Sequence, residues 1–218
     1  MLTTAELAIR IDGRSLTVED VVRVARHGWK VILDEGSMQA MRRTRDYVEK
    51  LLREKRVVYG LTTGFGKFSD TYISAEDAKA LQLNLIRSHA CGIGRPFADE
   101  IVRAIMLLRI NALALGYSGI RPEVAALMAE MLNRGVTPVI PEQGSLGASG
   151  DLAPLSHLAL VLVGEGEAYF EGARRSGAEA LAKAGLVPIS LEAKEGLALI
   201  NGTQVMTAVG ALACWDAK

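Results

Sequence analysis

The sequence predicts a mainly α-helical protein with a few short β pieces. Three observations lead to this prediction. Apolar residues recur every three or four positions along 98–115, which is the spacing of one buried helix face. Residues that favour helix starts and stops flank several segments, among them Thr17, Pro122 and Gly135. The β-like segments are short, and no internal repeat or low-complexity tract is present.

The N-terminal residues predict a short extended piece followed by a helix. Residues 8–16 read as a strand or an extended lead-in, with Asp12-Gly13 as a turn signal. Thr17 then precedes Asp20 at the third helical position. The two side chains of such a pair cap each other's backbone amides, so a helix is expected to start here.

Two longer helices follow in the prediction. Ser74 and Asp77 repeat the capping signal and open a helix that reaches about His89. A further helix starts near Ala98. The predicted buried face of that helix steps by four and three residues, through Ile101, Ile105, Leu108, Ala112 and Leu115.

The second half predicts further helices around a small β region. Pro122 suits the first position of a helix and Gly135 suits the residue just after its end. Another helix is expected from Asp151, with Pro154 tolerated in its first turn. The β-like pieces are 167–171 and 187–191, with Gly172 as a turn, and the apolar segment from Thr203 onward is predicted to be helical.

Composition excludes several classes of protein. Among 218 residues, 25 Lys and Arg balance 25 Asp and Glu, so the net charge of zero excludes the basic surface of a nucleic-acid binder. Half of the residues are hydrophobic, which excludes a disordered chain. The mean hydropathy is +0.20, high for a monomer of this size. We therefore expect either burial against other chains or a missing part.

The sequence predicts a reduced, cytoplasmic protein. The longest local apolar candidate, 158–163, is far shorter than the roughly 18 residues of a membrane span, and the first residues lack the apolar core of a signal peptide. The two cysteines, Cys91 and Cys214, are too few for a disulfide framework and fit no metal-ligand spacing. Cys91 is expected to pack as a small hydrophobe.

Three glycine-rich loops lie between the predicted helices, at 59–66, 87–94 and 141–151. The third has glycines at 144, 147 and 150 but lacks the Lys and the Ser/Thr of a phosphate loop. Gly92-x-Gly94 lacks the third glycine of a dinucleotide fingerprint. Neither a nucleotide nor a metal cofactor is therefore predicted.

The tripeptide Ala148-Ser149-Gly150 suits a different chemistry. In a sharp bend, the amide nitrogen of Gly150 can attack the carbonyl carbon of Ala148, and glycine has no Cβ to obstruct that bend. Closure and loss of two waters would give a 4-methylidene-imidazol-5-one, an electrophile made from the chain. The plainer alternative is a flexible turn before the helix that starts at Asp151.

Four motifs in this chain resemble those of the aromatic amino acid ammonia-lyases and aminomutases, which make this prosthetic group from Ala-Ser-Gly. They are YGLTTGFG (59–66), NLIRSHACGIG (84–94), GSLGASGDLAPLSH (144–157) and KEGLALINGTQ (194–204). Within the family, the histidine ammonia-lyases are the most similar. The resemblance implies the N-terminal domain of the histidine/phenylalanine ammonia-lyase fold, in the L-aspartase-like superfamily. It also implies autocatalytic formation of the group from Ala148, Ser149 and Gly150.

The resemblance assigns catalytic and substrate-binding residues. Tyr59 matches the tyrosine that takes the β-proton of the substrate, although a tyrosine packed before a turn is the plain alternative. Ser88 and His89 match the pair that selects the substrate. The pair is typical of histidine enzymes and also occurs in bacterial tyrosine aminomutases, while the plain alternative for His89 is a core histidine bonded to a carbonyl. Asn201 matches an active-site amide donor, against the alternative of a left-handed turn residue.

Two supporting residues complete the assignment. Asp151 has two interpretations of equal weight: it activates the Gly150 amide during ring closure, or it caps the next helix. Gln204 is expected to hold Asn201 in place.

The resemblance also implies an activity and an assembly. The expected reaction is non-oxidative elimination of ammonia from L-histidine to give trans-urocanate, by a cytoplasmic homotetramer that needs neither nucleic acid nor membrane. Residues 1–218 would form one N-terminal domain whose last helix, from about 203, continues into an absent helical bundle, so this short chain alone is expected to be inactive. The alternatives are a tyrosine ammonia-lyase or tyrosine 2,3-aminomutase, and a non-catalytic helical fragment or assembly module.

Overall fold

The computed structural model describes residues 7–64, 73, 75–146 and 150–218. Side chains at 75 and 76 are not part of that description. Helices dominate and the strands are short, as predicted. In chain order the elements are β1 (Ala8–Ile11), α1 (Val18–His27), β2 (Lys30–Leu33), α2 (Glu35–Arg53), α3 (Ala75–His89), β3 (Ile93–Pro96), α4 (Asp99–Ala114), α5 (Pro122–Arg134), β4 (Thr137–Pro138), β5 (Pro141–Gln143), α6 (Leu152–Leu162), β6 (Glu167–Phe170), β7 (Ala173–Ser176), α7 (Gly177–Lys183), α8 (Glu195–Ile200) and α9 (Gln204–Asp216).

Helix α4 lies at the centre of the main hydrophobic core, packed against α1, α5 and α9. The predicted stripe is only partly right, because Ile105 alone among its five members is fully buried. The other four are half-buried, and the most deeply buried side chains of α4 lie at other positions. Its fully buried side chains include Val102, Met106, Ile110 and Leu113.

The N-terminal prediction is confirmed in part. Only 8–11 of the predicted extended segment form a strand, and β1 pairs in parallel with β2. The strand ends because the carboxylate of Asp12 accepts hydrogen bonds from the amides of Arg14 and Ser15, which closes the predicted turn. Thr17 and Asp20 form the predicted capping box of α1.

Helix α2 was not predicted, although at 19 residues it is long. Asp34 caps it by accepting a hydrogen bond from the amide of Ser37 at 3.1 Å. Few of its side chains are apolar, so its buried face, which includes Met41 and Val48, is a weak sequence signal. The start of α3 agrees with the prediction, while Ser74, its expected cap, lies outside the described residues.

The prediction for the β region is half right. Strands β6 and β7 form a hairpin whose turn residues, Glu171 and Gly172, both have positive φ, the geometry of a type I′ turn. The predicted strand at 187–191 is wrong. That segment pairs with none of the described strands: Pro188 has no amide hydrogen to donate, and the amide of Ile189 donates to the carbonyl of Leu162.

The remaining helix boundaries follow their sequence signals. Pro122 is the first residue of α5, and Gly135 ends it in the left-handed conformation with φ +77°. Pro154 lies in the first turn of α6. Thr203 occupies the N-cap position of α9, as the helix predicted from 203 requires. The far end of α9 is tied to α1, because Arg26 binds both Asp216 and Glu100.

The cysteines and the apolar C-terminal segment correct two expectations. Cys91 is exposed rather than packed, and Cys214 is exposed too. Within the described part of the chain, residues 195–216 are long and apolar enough to cross a membrane by length and composition only. A search for uninterrupted apolar runs misses this segment. It consists of α8 and α9 with the extended residue Asn201 between them, and both helices contribute to the core.

Candidate active site

Gly150 lies in backbone contact with Gly202. Its φ is +114°, a conformation that L side chains rarely adopt. A Cβ at this position would stand 2.8 Å from the carbonyl carbon of Gly202 and overlap its oxygen. The next amide, that of Asp151, donates to the Gly202 carbonyl at 2.6 Å. Only glycine therefore fits at position 150. Gly147, Ala148 and Ser149 lie outside the described residues.

The carboxylate of Asp151 caps a helix distant in sequence. Asp151 occupies the N-cap position of α6 but makes no side-chain cap bond there. Its Oδ2 instead accepts from the amides of Val205 and Met206, at 2.9 and 3.1 Å, in the first turn of α9. Its Oδ1 accepts from the hydroxyl of Ser145 at 2.7 Å. Asp151 was expected to cap α6, the next helix, and this is wrong: its carboxylate caps α9 instead.

Arg109 holds the turn that carries Asn201, and sequence reasoning missed it. The guanidinium is buried in α4 and its Nη1 donates to the Asn201 carbonyl at 3.1 Å and to Gln204 Oε1 at 2.8 Å. Its Nη2 donates to the carbonyl of Ala198. Burial lowers the pKa of Arg109 to about 10. The available sequence signal was a charged residue among the apolar residues of α4.

Asn201 does not adopt the left-handed turn conformation considered for it. Its φ is −86° and ψ is 101°, and its amide donates to the carbonyl of Leu197 at 3.1 Å, which ends α8. The Asn201 side chain is exposed. Gln204 supports it indirectly, because both residues accept hydrogen bonds from Arg109.

Ser88 and His89 lie together at the C-terminal end of α3. The Ser88 hydroxyl donates to the carbonyl of Leu85 at 2.9 Å, and His89 Nδ1 lies 2.8 Å from the same oxygen. A carbonyl only accepts, so Nδ1 carries a proton, and in the neutral ring Nε2 is then the acceptor nitrogen. The expected carbonyl bond is present, but His89 is half-buried rather than in the core.

A second histidine joins the loop after His89 to the tripeptide motif. His157 Nε2 accepts a hydrogen bond from the amide of Gly92 at 3.1 Å, and the amide of Cys91 donates to the carbonyl of His89 at 2.8 Å. Burial lowers the pKa of His157. A Cβ at position 92 would stand only 3.0 Å from His157 Nε2, so the two segments fit closely.

Tyr59 lies in a separate tight turn. The Thr62 hydroxyl donates to the carbonyl of Arg56 and accepts from the amide of Val58, which closes the loop. Thr62 is buried, whereas the Tyr59 side chain is 59% exposed. Leu61 belongs to a small second hydrophobic cluster with Val48, Leu51, Ala78 and Ala193. This cluster places the turn against α2 and α3.

A buried carboxylate fixes the start of α8, the helix that ends at Asn201. Glu195 accepts from Nε and Nη2 of Arg121, both at 2.7 Å, and from the amides of Arg121 and Glu192. The preceding residue, Lys194, has φ +74°, and its Nζ donates to the carbonyl of Ser118. Glu195 was not singled out from sequence, because a single glutamate gives no sign of its burial.

Comparisons with known proteins show sequence similarity over nearly the whole chain. The sequence profile described as "Aromatic amino acid lyase" matches residues 16–218. A histidine ammonia-lyase from Caldanaerobacter subterraneus subsp. tengcongensis is 59% identical over 208 residues, 95% of this chain and 41% of that protein. The chain thus spans about two fifths of the length of the curated relatives it matches.

Solved structures share the fold. A tyrosine aminomutase from Streptomyces globisporus is 41% identical with a TM-score of 0.87, over 94% of this chain and 38% of that one. A histidine ammonia-lyase from Trypanosoma cruzi is 40% identical with a TM-score of 0.87, over 94% of this chain and 40% of that one.

Proposed function

The chain belongs to the aromatic amino acid lyase family, and on this basis we propose that it forms the N-terminal part of a histidine ammonia-lyase. The reaction is the non-oxidative elimination of ammonia from L-histidine to give trans-urocanate. The 59% identity with a histidine ammonia-lyase supports this substrate. The structural observation that carries the proposal is the contact of Gly150 with Gly202, which presents a glycine bend beside the turn of Asn201.

The described residues fit a prosthetic group made from Ala148, Ser149 and Gly150. Its closing residue must be a glycine in a tight bend, and the backbone of Gly202 leaves no room for a Cβ at 150. Closure joins the Gly150 nitrogen to the Ala148 carbonyl carbon and releases two waters, one of them with the Ser149 hydroxyl, so no oxidant is needed. The mature group supplies an electrophile that makes ammonia a better leaving group.

Three of the chain's own side chains would handle the substrate. His89 Nε2 is an acceptor for the ring N–H of histidine, because Nδ1 is bonded to Leu85. The exposed amide of Asn201 is a donor for the carboxylate of the substrate or for a developing oxyanion. Tyr59 would take the β-proton as a general base. A phenol in water titrates at about 10, so this step needs a site that stabilises the phenolate.

We propose that Asp151 is a supporting residue that joins α6 to α9. The sequence left two other functions open for it, activation of the Gly150 amide and capping of α6. Its carboxylate is already bonded to the first turn of α9 and to Ser145. Asp151 therefore links the tripeptide to α9 rather than serving α6. Gln204 supports Asn201 through Arg109.

We propose a cytoplasmic homotetramer as the working assembly and expect little or no lyase activity from the 218-residue chain alone. Large apolar side chains on α9 remain exposed, including Met206, Val209 and Trp215, which supports association with further protein. Intact mass of the purified chain is the first test. A loss of two waters supports formation of the prosthetic group, and an unshifted mass argues against it in this chain. Robust urocanate production by the chain alone would contradict the expected inactivity.

A tyrosine ammonia-lyase or tyrosine 2,3-aminomutase is the second candidate, favoured by the 41% identity with a tyrosine aminomutase. A chimera separates the two: this chain replaces the matching segment of the Caldanaerobacter histidine ammonia-lyase. Conversion of histidine to urocanate, with tyrosine untouched, supports the first candidate. Turnover of tyrosine but not histidine would favour the second. A folded tetrameric chimera inactive on both substrates would favour the third candidate, a non-catalytic fragment or assembly module.

A further inference from the structure

Arg109 is a buried cation whose partners are all neutral oxygens. It donates to the carbonyls of Ala198 and Asn201 and to Gln204 Oε1, and its Nε has no partner in the described structure. Among the ion pairs formed by the described residues, none includes Arg109. By contrast, buried Arg45 pairs with Glu49. A buried charge without a counter-ion is costly, so packing alone favours an apolar residue here.

The three acceptors of Arg109 surround the end of α8 and the start of α9. Ala198 and Asn201 belong to the last turn of α8 and its C-cap, while Gln204 begins α9. Gly202 lies between them, and a Cβ there would overlap both Gln204 Oε1 and Arg109 Nη1. The guanidinium therefore fills one side of the Asn201–Gln204 turn, meaning residues 201 to 204.

The other side of the same turn faces Gly150. The Gly202 carbonyl accepts from the amide of Asp151 and occupies the space beside the Gly150 Cα. Contacts thus run without a gap from Arg109 through Gly202 to Gly150. A shift of the Asn201–Gln204 turn would change both the exposed amide of Asn201 and the backbone bend at Gly150.

We infer that Arg109 is a positioning residue, which clamps the Asn201–Gln204 turn against Gly150 and so sets the bend at Gly150 together with the place of Asn201. The inference rests on the proposed function for its chemical meaning. Arginine suits this task because its planar fork reaches several oxygens at fixed angles, whereas lysine offers a single nitrogen. The same guanidinium donates to the carbonyl of Ala198 through Nη2 and to the side chain of Gln204 through Nη1.

Arg103 provides a matched control on the same helix. It is also part-buried, and burial lowers its pKa. It too donates to backbone carbonyls, those of Val24 and Leu132, but these belong to α1 and α5 rather than to the Asn201–Gln204 turn. Arg109→Met and Arg103→Met therefore each remove from α4 a guanidinium that donates to backbone carbonyls, and only the first removes the clamp.

The experiment compares these two variants with the unaltered 218-residue chain by two readouts that need no activity. Hydrogen exchange of the Asp151 amide, which is bonded to Gly202, reports the contact itself. Intact mass reports the loss of two waters. We expect the Asp151 amide to exchange about tenfold faster or more in Arg109→Met and to be unchanged in Arg103→Met. The fraction that has lost two waters should fall only in Arg109→Met.

If Arg109→Met does not fold, Gln204→Leu keeps the test decisive. This variant removes the Oε1 acceptor of Arg109 and nearly retains the side-chain volume of Gln204. It should accelerate exchange of the Asp151 amide in the same direction. Unchanged exchange in the folded Arg109→Met chain, or equal acceleration in Arg103→Met, would overturn the inference. If the unaltered chain shows no loss of water, the proposed prosthetic group fails in this chain, while the exchange comparison still decides the function of Arg109.

Discussion

The carboxylate of Asp151 accepts a hydrogen bond from the amide of Val205, 54 residues further along the chain. A residue at the start of α6 thereby caps α9, whose own N-cap residue, Thr203, makes no side-chain cap bond. The same aspartate follows the glycine that lies against Gly202. The two halves of the candidate site are therefore joined by a backbone contact and a helix cap at a single residue.

Replacing Asp151 should destabilise the fold more than removing an ordinary cap. In Asp151→Ala the buried amide of Val205 and the part-buried amide of Met206 lose their acceptor, and we expect the free energy of unfolding to fall by about 2–3 kcal/mol. Thr17→Ala, which removes the exposed cap of α1, is the control and should cost about 1 kcal/mol. Urea denaturation measures both. Equal losses in the two variants would show that the Asp151 cap stabilises the fold no more than an ordinary helix cap.

A side chain at position 202 should destabilise the fold. In Gly202→Ala the new Cβ overlaps Gln204 Oε1 and Arg109 Nη1, so we expect a loss of about 1–3 kcal/mol in the free energy of unfolding. Gly210→Ala is the matched control in α9, because open space surrounds a Cβ there and alanine favours helix by up to about 1 kcal/mol. Thermal unfolding should move in opposite directions for the two variants. A neutral Gly202→Ala would contradict the contact.

His157 should make stability depend on pH. Burial lowers its pKa in the folded chain below the value of about 6.5 for an unfolded histidine, so the unfolded chain binds more protons as the pH falls. The stability that neutral His157 contributes is complete above the unfolded pKa and is lost as the pH falls through the folded pKa. Urea denaturation between about pH 8 and pH 5 measures this loss.

The control for His157 is His157→Gln, which can still accept from the Gly92 amide through its side-chain carbonyl. This variant should lose less stability than the unaltered chain over the same pH range. If the stability of the unaltered chain and of His157→Gln depends on pH identically, titratable groups other than His157 cause the loss.

Tyr59 should matter for catalysis rather than for folding. Tyr59→Phe removes the hydroxyl proposed as the base, and we expect kcat of the chimera on histidine to fall by at least about 100-fold. The side chain is 59% exposed, so the thermal midpoint should change little. Tyr117→Phe, at a tyrosine that is 76% exposed, is the control and should retain activity. Full activity in Tyr59→Phe would remove Tyr59 from the mechanism.

Local signals predicted those parts of the fold whose structure depends on neighbours in sequence. The capping box of Thr17, the glycine stop at Gly135 and the turn at Gly172 all depend on a few adjacent residues, and the structure has each of them. The strand predicted at 187–191 failed because its apolar composition says nothing of a pairing partner. Helix α2 was missed because its stability comes from tertiary packing of a sparse apolar face.

The candidate site likewise contains residues that the sequence identifies and residues that only the structure reveals. A motif identified Gly150 and Asn201, while their contact through Gly202 depends on folding. Arg109 lies in α4 and binds α8 from outside, so no spacing in the sequence relates it to Asn201. Glu195 is the first residue of α8, but its partner Arg121 is 74 residues away in sequence. Their burial is a property of the packed core, and it becomes visible only in the structure.

The contact between Gly150 and Gly202 also fixes an order of events during synthesis. The ribosome makes the chain from its N-terminus, so Gly150 emerges well before the turn that holds its bend. The surface that constrains Gly150 does not exist until the segment containing Asn201 and Gln204 has left the ribosome and docked on α4. A nascent chain shorter than this would carry the tripeptide as ordinary peptide, which delays any self-modification until residues 201–204 have docked.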